Sequence, residues 1–361
     1  MRHFETGGLA TTTGSVSVLP SAAPAQVRVI EGPLARSFLT TQWAGLFQQD
    51  PLATPYQAPG WLSAHADQLP LTATLMILMA ESTGGPRAAL AVVRDRTAGG
   101  WLEVTPLSTP SAEYVRIVGP DAEHPAIAAA LAEALTRLDA DVMLPDVPAT
   151  SALGRYISQW QHALTRCARI PLPVPYQAMS RSTRRDHRRR KRDWAALATR
   201  GHRITYHRTQ SAAELSNAYA ALAHLHRRRW RASGPEHRVT SADGRLRTVL
   251  ERCPDSAFIA TLSIDGKPVA AQLCLHRGRH AYSMLPAMDP DHDDLAPGHA
   301  LLRHLTDDLT TAGFASLDLG RTTCAPGQIA YKQQYTPTWS ATVTAVRRTL
   351  PSRPDEMRGI A

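Results

Sequence analysis

Three places in this 361-residue chain bring together residue types that could do chemistry. The first is Ala296-Pro297-Gly298-His299-Ala300-Leu301. Proline suits the first turn of a helix, and the amides after it lack partners inside the helix. A helix start carries partial positive charge, so Pro297, Gly298, His299, Ala300 and Leu301 form a candidate pyrophosphate site, with Gly298 allowing close backbone approach. The second place is Asp318 in LDLG, followed by Arg321. A carboxylate at a strand end could accept the proton of an incoming amine. Arg321 could hold an anionic acceptor or pair with Asp318. The third is Tyr331-Lys332, a phenol that can donate a proton beside an ammonium that can neutralise an oxyanion. Each has a plainer reading: a Pro-Gly turn, a capping aspartate, and a surface lysine beside a packed tyrosine.

The net charge of +9 is concentrated. RSTRRDHRRRKR, residues 181–192, holds eight Arg or Lys and one Asp, and RRRWR follows at 227–231, leaving the rest close to neutral. On a helix Arg181, Arg184, Arg185, Arg188 and Arg192 share a face. Three readings stand: a solvated basic helix, contact of Arg184 and Arg188 with a cofactor or anionic acceptor, and RNA phosphates. No aromatics are interleaved for stacking bases. Trp230 lines an acceptor pocket or ends its helix in the core. His224 and His226 are two apart and do not share a helical face, so no metal site is expected. Cys167, Cys253, Cys274 and Cys324 show no CxxC, which fits reduced thiols.

The elements that must position these residues run from Phe258 to Tyr335. Phe258, Ala260, Leu262 and Ile264 alternate with Ile259, Thr261 and Ser263, the period of a strand. Asp265-Gly266 predicts a tight hairpin and Arg277-Gly278-Arg279 a second reversal. Leu301, Leu302, Leu305 and Leu309 keep helical spacing from about His299 to Ala312, with Gly313 at the C-cap position. Upstream, ARSFLTTQWAGLFQQD predicts one amphipathic helix, with a second short helix near Gly60. LTATLMILMAES, PRAALAVVRD, WLEVTPLS and EYVRIVG predict strands, HPAIAAALAEALTRLD a helix, and DVMLPDV the strand after it. That order loosely repeats the order after Phe258.

The pieces DGKPVAAQLCL, YSMLPAMDP, LAPGHALLRHL and GFASLDLGRTTCAPGQIAYKQQY, in that order, resemble the GNAT acyltransferase branch that includes acetyltransferases associated with cellulose biosynthesis. That branch is related to the Fem-type aminoacyl transferases. The resemblance implies an α/β (α+β) fold of two tandem GNAT-like domains, each a mixed, mostly antiparallel sheet flanked by helices. It implies acyl-CoA as co-substrate, acetyl-CoA foremost. It implies Tyr331 as general acid to the leaving thiolate and Lys332 near a substrate phosphate. The common pattern has Arg or Gln and a second glycine at the helix start, where this chain has Ala296-Pro297-Gly298-His299. The first half has Glu123-His124-Pro125 at the equivalent turn, an acid that would repel phosphate, so it reads as scaffold or acceptor wall. The expected organisation is a flexible tail over 1–26, a first half over 27–172, an acyltransferase domain over 173–350 and a tail over 351–361. The Pro-rich IPLPVPY is the seam.

With 43% hydrophobic and 20% charged residues the chain is long enough for two ordinary domains. No apolar run approaches the ~18 residues of a membrane span, and no signal peptide is expected, which reads as a cytoplasmic protein. The expectation is therefore an N-acyltransferase acting on a small-molecule or sugar-like amine by direct attack, since no Cys or Ser stands in a nucleophile arrangement. The alternatives are a tRNA-dependent aminoacyl transferase and a non-enzymatic nucleic-acid binder. Oligomeric state is left open.

Overall fold

Asp265 and Gly266 have φ of 50° and 79°, the left-handed pair that a two-residue hairpin with this twist demands. Gly278 (φ 53°) makes the second reversal, and Gly313 (φ 81°) follows the helix end. The computed structural model describes residues 16–19, 26–230 and 243–349. The expected tail over 351–361 lies outside them, as does that over 1–26 apart from Gln26 and one short strand.

Among the described residues the strands are β1 (Val16–Leu19), β2 (Gln26–Glu31), β3 (Thr74–Ser82), β4 (Gly85–Arg96), β5 (Leu102–Pro106), β6 (Asp141–Pro148), β7 (Gln161–Pro171), β8 (Ile204–Arg208), β9 (Ala257–Ile264), β10 (Lys267–Arg277), β11 (His280–Met288), β12 (Ser316–Thr322) and β13 (Thr338–Arg347). The helices are α1 (Pro33–Thr41), α2 (Trp43–Gln49), α3 (Pro59–Asp67), α4 (Pro125–Thr136), α5 (Ala152–Ile157), α6 (Arg181–Thr199), α7 (Ala212–Trp230), α8 (Asp243–Glu251), α9 (Pro297–Thr311) and α10 (Pro326–Gln333). All thirteen strands join one mixed sheet in the order β1-β2-β3-β4-β5-β6-β13-β7-β12-β11-β10-β9-β8. The order is nearly symmetric about its middle. Five strands in the first half (β1–β5) and four in the second (β8–β11) lead through a helix to a parallel partner, β5 to β6 and β11 to β12. The last strand of each half then lies beside the other half's sheet. β7 pairs with β12, and β13 lies between β6 and β7. The seam expected at Ile170–Tyr176 thus follows a strand whose partners both come after it.

Helices cover both faces, so the strands are apolar on both sides. Phe258, Ala260 and Leu262 pack beneath α9, while Ile259, Leu273 and Leu275 join a core shared by α1, α3, α7 and α8. That shared core holds the two halves together. At Gly60 an added Cβ would lie 2.4 Å from the Arg252 carbonyl oxygen, so only glycine permits this approach of α3 to α8.

Two sequence expectations are corrected. The single helix over 35–50 is broken between α1 and α2 at Gln42 (φ −118°). Thr40 and Thr41 turn their hydroxyls onto the Ser37 carbonyl, competing with the helical ladder. EYVRIVG joins no strand ladder. Val118 bridges Ala89, and the Val115 amide donates to the Asp146 carbonyl.

Candidate active site at the junction of the halves

Parallel pairing between β11 and β12 covers only His280–Tyr282 against Ser316–Asp318. Beyond it the strands part. β11 continues six residues to Met288 on β10 alone, a length of about 20 Å. Pro286 is exposed although it sits in an inner strand, because no strand among the described residues pairs with that edge. Where the strands part, β11 also carries a bulge. Leu273 faces Leu285 and Cys274 faces Ser283, so Met284 has no partner on β10.

The far end of the gap is closed by the start of α9. Ala296 adopts left-handed φ/ψ (47°, 59°), which brings its carbonyl under the amides of His299 and Ala300. Those two amides are therefore engaged, a correction to the expectation that they face an anion. Gly298, which contacts Met288, keeps the outward amide beside the buried Pro297; Leu301 points into the core. The His299 ring accepts or donates at Tyr335 Oη (2.9 Å) and lies 4.6 Å from the Tyr331 ring. Burial pushes its pKa down to about 3, with Arg190 and His187 adding, so it is neutral. Burial pushes the Tyr331 phenol up to about 12, against Arg229 and Arg190, so it keeps its proton.

At the parting point, groups from both halves meet. Tyr114 donates its hydroxyl to Asp318 (2.9 Å), as do the Gly320 amide (2.7 Å) and Arg169 Nε (3.2 Å). Asp318 is 1% exposed, and burial raises its pKa against these donors. Its oxygens are fully occupied, so it positions its neighbours and has no free lone pair facing an amine. Arg321 pairs with Asp146 (2.9 Å), resolving the choice against Asp318. Lys332 is 5% exposed, and its ammonium donates to the carbonyls of Leu319, Gly320 and Arg321 at 2.8, 3.0 and 2.6 Å. All three protons are committed, so Lys332 clamps the end of β12 and has none left for a substrate oxyanion. Burial lowers its pKa, with Glu113 opposing.

Glu113, missed by sequence reading, is the carboxylate with an outlook. Its Oε2 lies where a Cβ on Gly320 would be, 2.0 Å from that position, and Gly320 has φ 64°, so glycine both makes the turn and leaves the space. Glu113 is half-buried on the wall of a cavity of about 700 Å³ that also touches Met284 and Leu285. Loss of water pushes its pKa up to about 7, with Asp318 adding and Arg321 and Lys332 opposing. One signal could have found it. The eighteen residues between Pro106 and Pro125 form no regular element, and so long a loop inside a compact fold is usually functional.

The other candidates lie apart. Arg184 Nη1 donates to the Gln177 and Met179 carbonyls, tying down the turn before α6. Arg188 is exposed in a shallow basic depression with Arg185, Lys191 and Arg192. α6 itself lies against the turn into α9, where Trp194 Nε1 donates to the Leu295 carbonyl (2.9 Å). Trp230 ends α7, and its side chain lies outside the described residues. Among the described residues no group of three His, Cys, Asp or Glu is placed to hold a metal, and no helix is long and apolar enough to cross a membrane.

Residues 181–333 match the family model of the acetyltransferase (GNAT) domain. The match lies within the second half and supports an acyltransferase. No curated protein matches the chain. Among solved structures it is similar to FemX (11% identity, TM-score 0.58, covering 87% of this chain and 96% of that one). It is also similar to the C-terminal domain of an Agrobacterium fabrum protein assigned as a lysylphosphatidylglycerol synthetase (13%, TM-score 0.55, 87% and 93%). A third is L-PGS from Bacillus licheniformis (13%, TM-score 0.51, 88% and 92%). At these identities the likeness speaks for the fold, and its length shows that both halves share it.

Proposed function

We propose that the chain is an N-acyltransferase whose donor, acyl-CoA with acetyl-CoA foremost, lies in the gap between β11 and β12, and whose acceptor amine enters through the junction cavity. The observation that carries this reading is the parting of β11 from β12 after Tyr282, which leaves Ser283–Met288 without a β12 partner from the Met284 bulge, on the cavity that Glu113 lines, to Met288 beside Gly298. The pyrophosphate would meet the Gly298 amide and the positive end of α9. The pantetheine arm would run along the uncovered edge of β11 and bring the thioester carbonyl to Met284.

An amine arrives protonated and must lose a proton before it attacks. Glu113 takes that proton, and a carboxyl near 7 is suited to do so at neutral pH. The nitrogen then attacks the thioester carbonyl. The bulge re-aims the Met284 amide toward the developing oxyanion. The C–N bond forms and the C–S bond breaks; the leaving thiolate takes the Tyr331 proton through solvent, and the second proton that the nitrogen sheds as the amide forms returns to Tyr331 by the same route. No thiol need intervene. Burial pushes Cys167 and Cys253 up to about 11 and raises Cys274 as well, so these three stay protonated.

The test is calorimetric titration of acetyl-CoA into the wild type and Gly298→Asp, with CoA release measured on an amine panel. Binding by the wild type and its loss in the variant are expected. Failure of the wild type to bind acetyl-CoA at millimolar concentration overturns the reading.

One observation favours a second reading. The exposed Arg185, Arg188 and Arg192 of α6, a helix that packs on the turn into α9, offer phosphate contacts to a polyanionic donor such as aminoacyl-tRNA. That donor predicts salt-sensitive binding of charged tRNA in place of CoA. The resemblance to the cellulose-associated branch rests on the motif pieces alone. A cytoplasmic site of action is proposed with it.

A further inference from the structure

On other faces of the molecule arginines meet acids. Arg28 pairs with Glu81, Arg36 and Arg252 with Asp67, Arg87 with Asp121 and Arg247 with Glu251. The outward face of α6 is different. Arg181, Arg185, Arg188, Arg189, Lys191 and Arg192 are exposed, and among the described residues none of them makes a salt bridge or a side-chain hydrogen bond. Like charges three and four residues apart on a helix repel, a cost that a bound anion offsets. Only Trp194 of the nineteen residues of α6 is buried, so the outer half of the helix stands free as a ridge. Arg181, Arg185, Arg188 and Arg192 form one line along it, about 16 Å long. Lys191 falls on one side of that line and Arg189 on the other, so positive charge wraps the whole outer half. The two acids of the helix, Asp186 and Asp193, stand within one helical turn of Arg189 and away from the line.

We infer that this face of α6 is a docking surface for B-form duplex DNA, gripped through the phosphates on both sides of the major groove without regard to base sequence. The inference goes beyond acyl transfer and does not rest on it, since acyl-CoA leaves these cations unused. A helix with its side chains is about 10–12 Å across and the major groove of B-DNA about 12 Å wide, so charge on both flanks of the helix meets both strands. A-form RNA has a major groove too deep and narrow to admit the ridge. Single strands call for aromatic platforms, and Trp194 is turned inward, its Nε1 on the Leu295 carbonyl. A flat bilayer would meet only the central line, and helices that lie on bilayers add large apolar side chains, where α6 exposes Ala195, Ala196 and Ala198. Arginine predominates among the cations, and its planar fork matches phosphate oxygens. No Asn or Gln stands among them to read a base edge.

The experiment uses the full chain and fluorescence anisotropy. The probes are DNA duplexes of two unrelated sequences, an RNA duplex and a DNA single strand, all of the same length; vesicles of phosphatidylglycerol are tested by co-sedimentation. Both DNA duplexes are expected to bind alike and ahead of the other probes, with affinity falling about 10²–10³-fold between about 50 and 200 mM salt. Arg188→Gln with Arg192→Gln, and separately Arg185→Gln with Lys191→Gln, should each lessen the slope of log affinity against log salt by about 2. Arg247→Gln with Arg252→Gln removes the same charge from another face and should leave that slope unchanged. Circular dichroism melting confirms folding, and either α6 pair decides the matter if the other does not fold. Binding unchanged in the α6 pairs, or weakened equally by the Arg247 and Arg252 pair, overturns the inference. Tighter binding of vesicles, of the single strand or of the RNA duplex also overturns it, and RNA binding lost in the α6 pairs would return this face to an aminoacyl-tRNA donor. DNA binding without acetyl-CoA binding would leave this surface standing while the acyl-CoA reading fails.

Discussion

Laid over one another, the two halves of this molecule share an element order and differ where chemistry would occur. β5 and β6 part after two pairs, as β11 and β12 part after three. In the first half residues 112–118 fill the space, tied by Val115 to Asp146 and by Val118 to Ala89. In the second half no segment among the described residues pairs with β11 in that space. The β4–β5 ladder is regular, while β10–β11 has the Met284 bulge. Glu123 stands before α4, where it accepts the Ala152 amide and pairs with Arg116, whereas neutral Ala296 stands before α9. The difference teaches that the plug is itself part of the site: the segment that closes one groove delivers Glu113 and Tyr114 to the other.

The most direct way to break this comparison is Glu113→Gln. The rate is expected to fall ~10²–10³-fold, with acetyl-CoA binding kept. The wild-type kcat/KM should fall as pH drops below about 7, because the base is then protonated, and the variant should lose that limb. A pH–rate profile that is unchanged in the variant would remove Glu113 from the chemistry.

Next comes Lys332→Met. It strips the donors from three carbonyls and is expected to cost about 3 kcal/mol of stability, read as a lowered Tm. A rate loss at unchanged Tm would restore Lys332 to a direct role.

A glycine pair then sharpens the contrast. Gly119→Ala, in the first half at φ 139° and with the Arg87 carbonyl 2.3 Å from the added Cβ, should cost about 1–3 kcal/mol and leave kcat unchanged per folded molecule. Gly320→Ala should cost a similar amount and also depress kcat, since it displaces Glu113. Equal kinetic effects would mean that the halves are not functionally distinct. Tyr331→Phe should slow turnover by about tenfold, a small loss because a thiolate already leaves readily. Replacing Arg188 and Arg192 by Ala should leave CoA-dependent turnover intact, and a loss of turnover would favour the polyanionic donor.

Much of this architecture was legible in the chain. The alternation over 258–264, Asp265-Gly266 and the leucines of α9 each predict their element, because period and turn chemistry are local. The start of α9 was legible as a helix start but not in its details. The left-handed Ala296, which engages the amides of His299 and Ala300, follows from how the preceding loop packs. Asp318 stands out in the sequence but its partners do not, since Tyr114 and Arg169 lie 204 and 149 residues away in sequence. Glu113 was hidden for the same reason: EYVRIVG has the composition of a strand, and only the neighbouring ladders show that no edge remains for it. Long-range partners decide which carboxylate is saturated and which is exposed to a cavity, and no local pattern encodes that.

The exchange of β7 and β13 carries a consequence for anyone who would cut this protein in two. A break in the loop after Pro171 leaves one fragment missing the strand beside β6 and the other missing the strand beside β12. Neither piece is a finished module, and each bears the missing edge of its sibling. Co-expressed, they should seek each other out and rebuild one working whole.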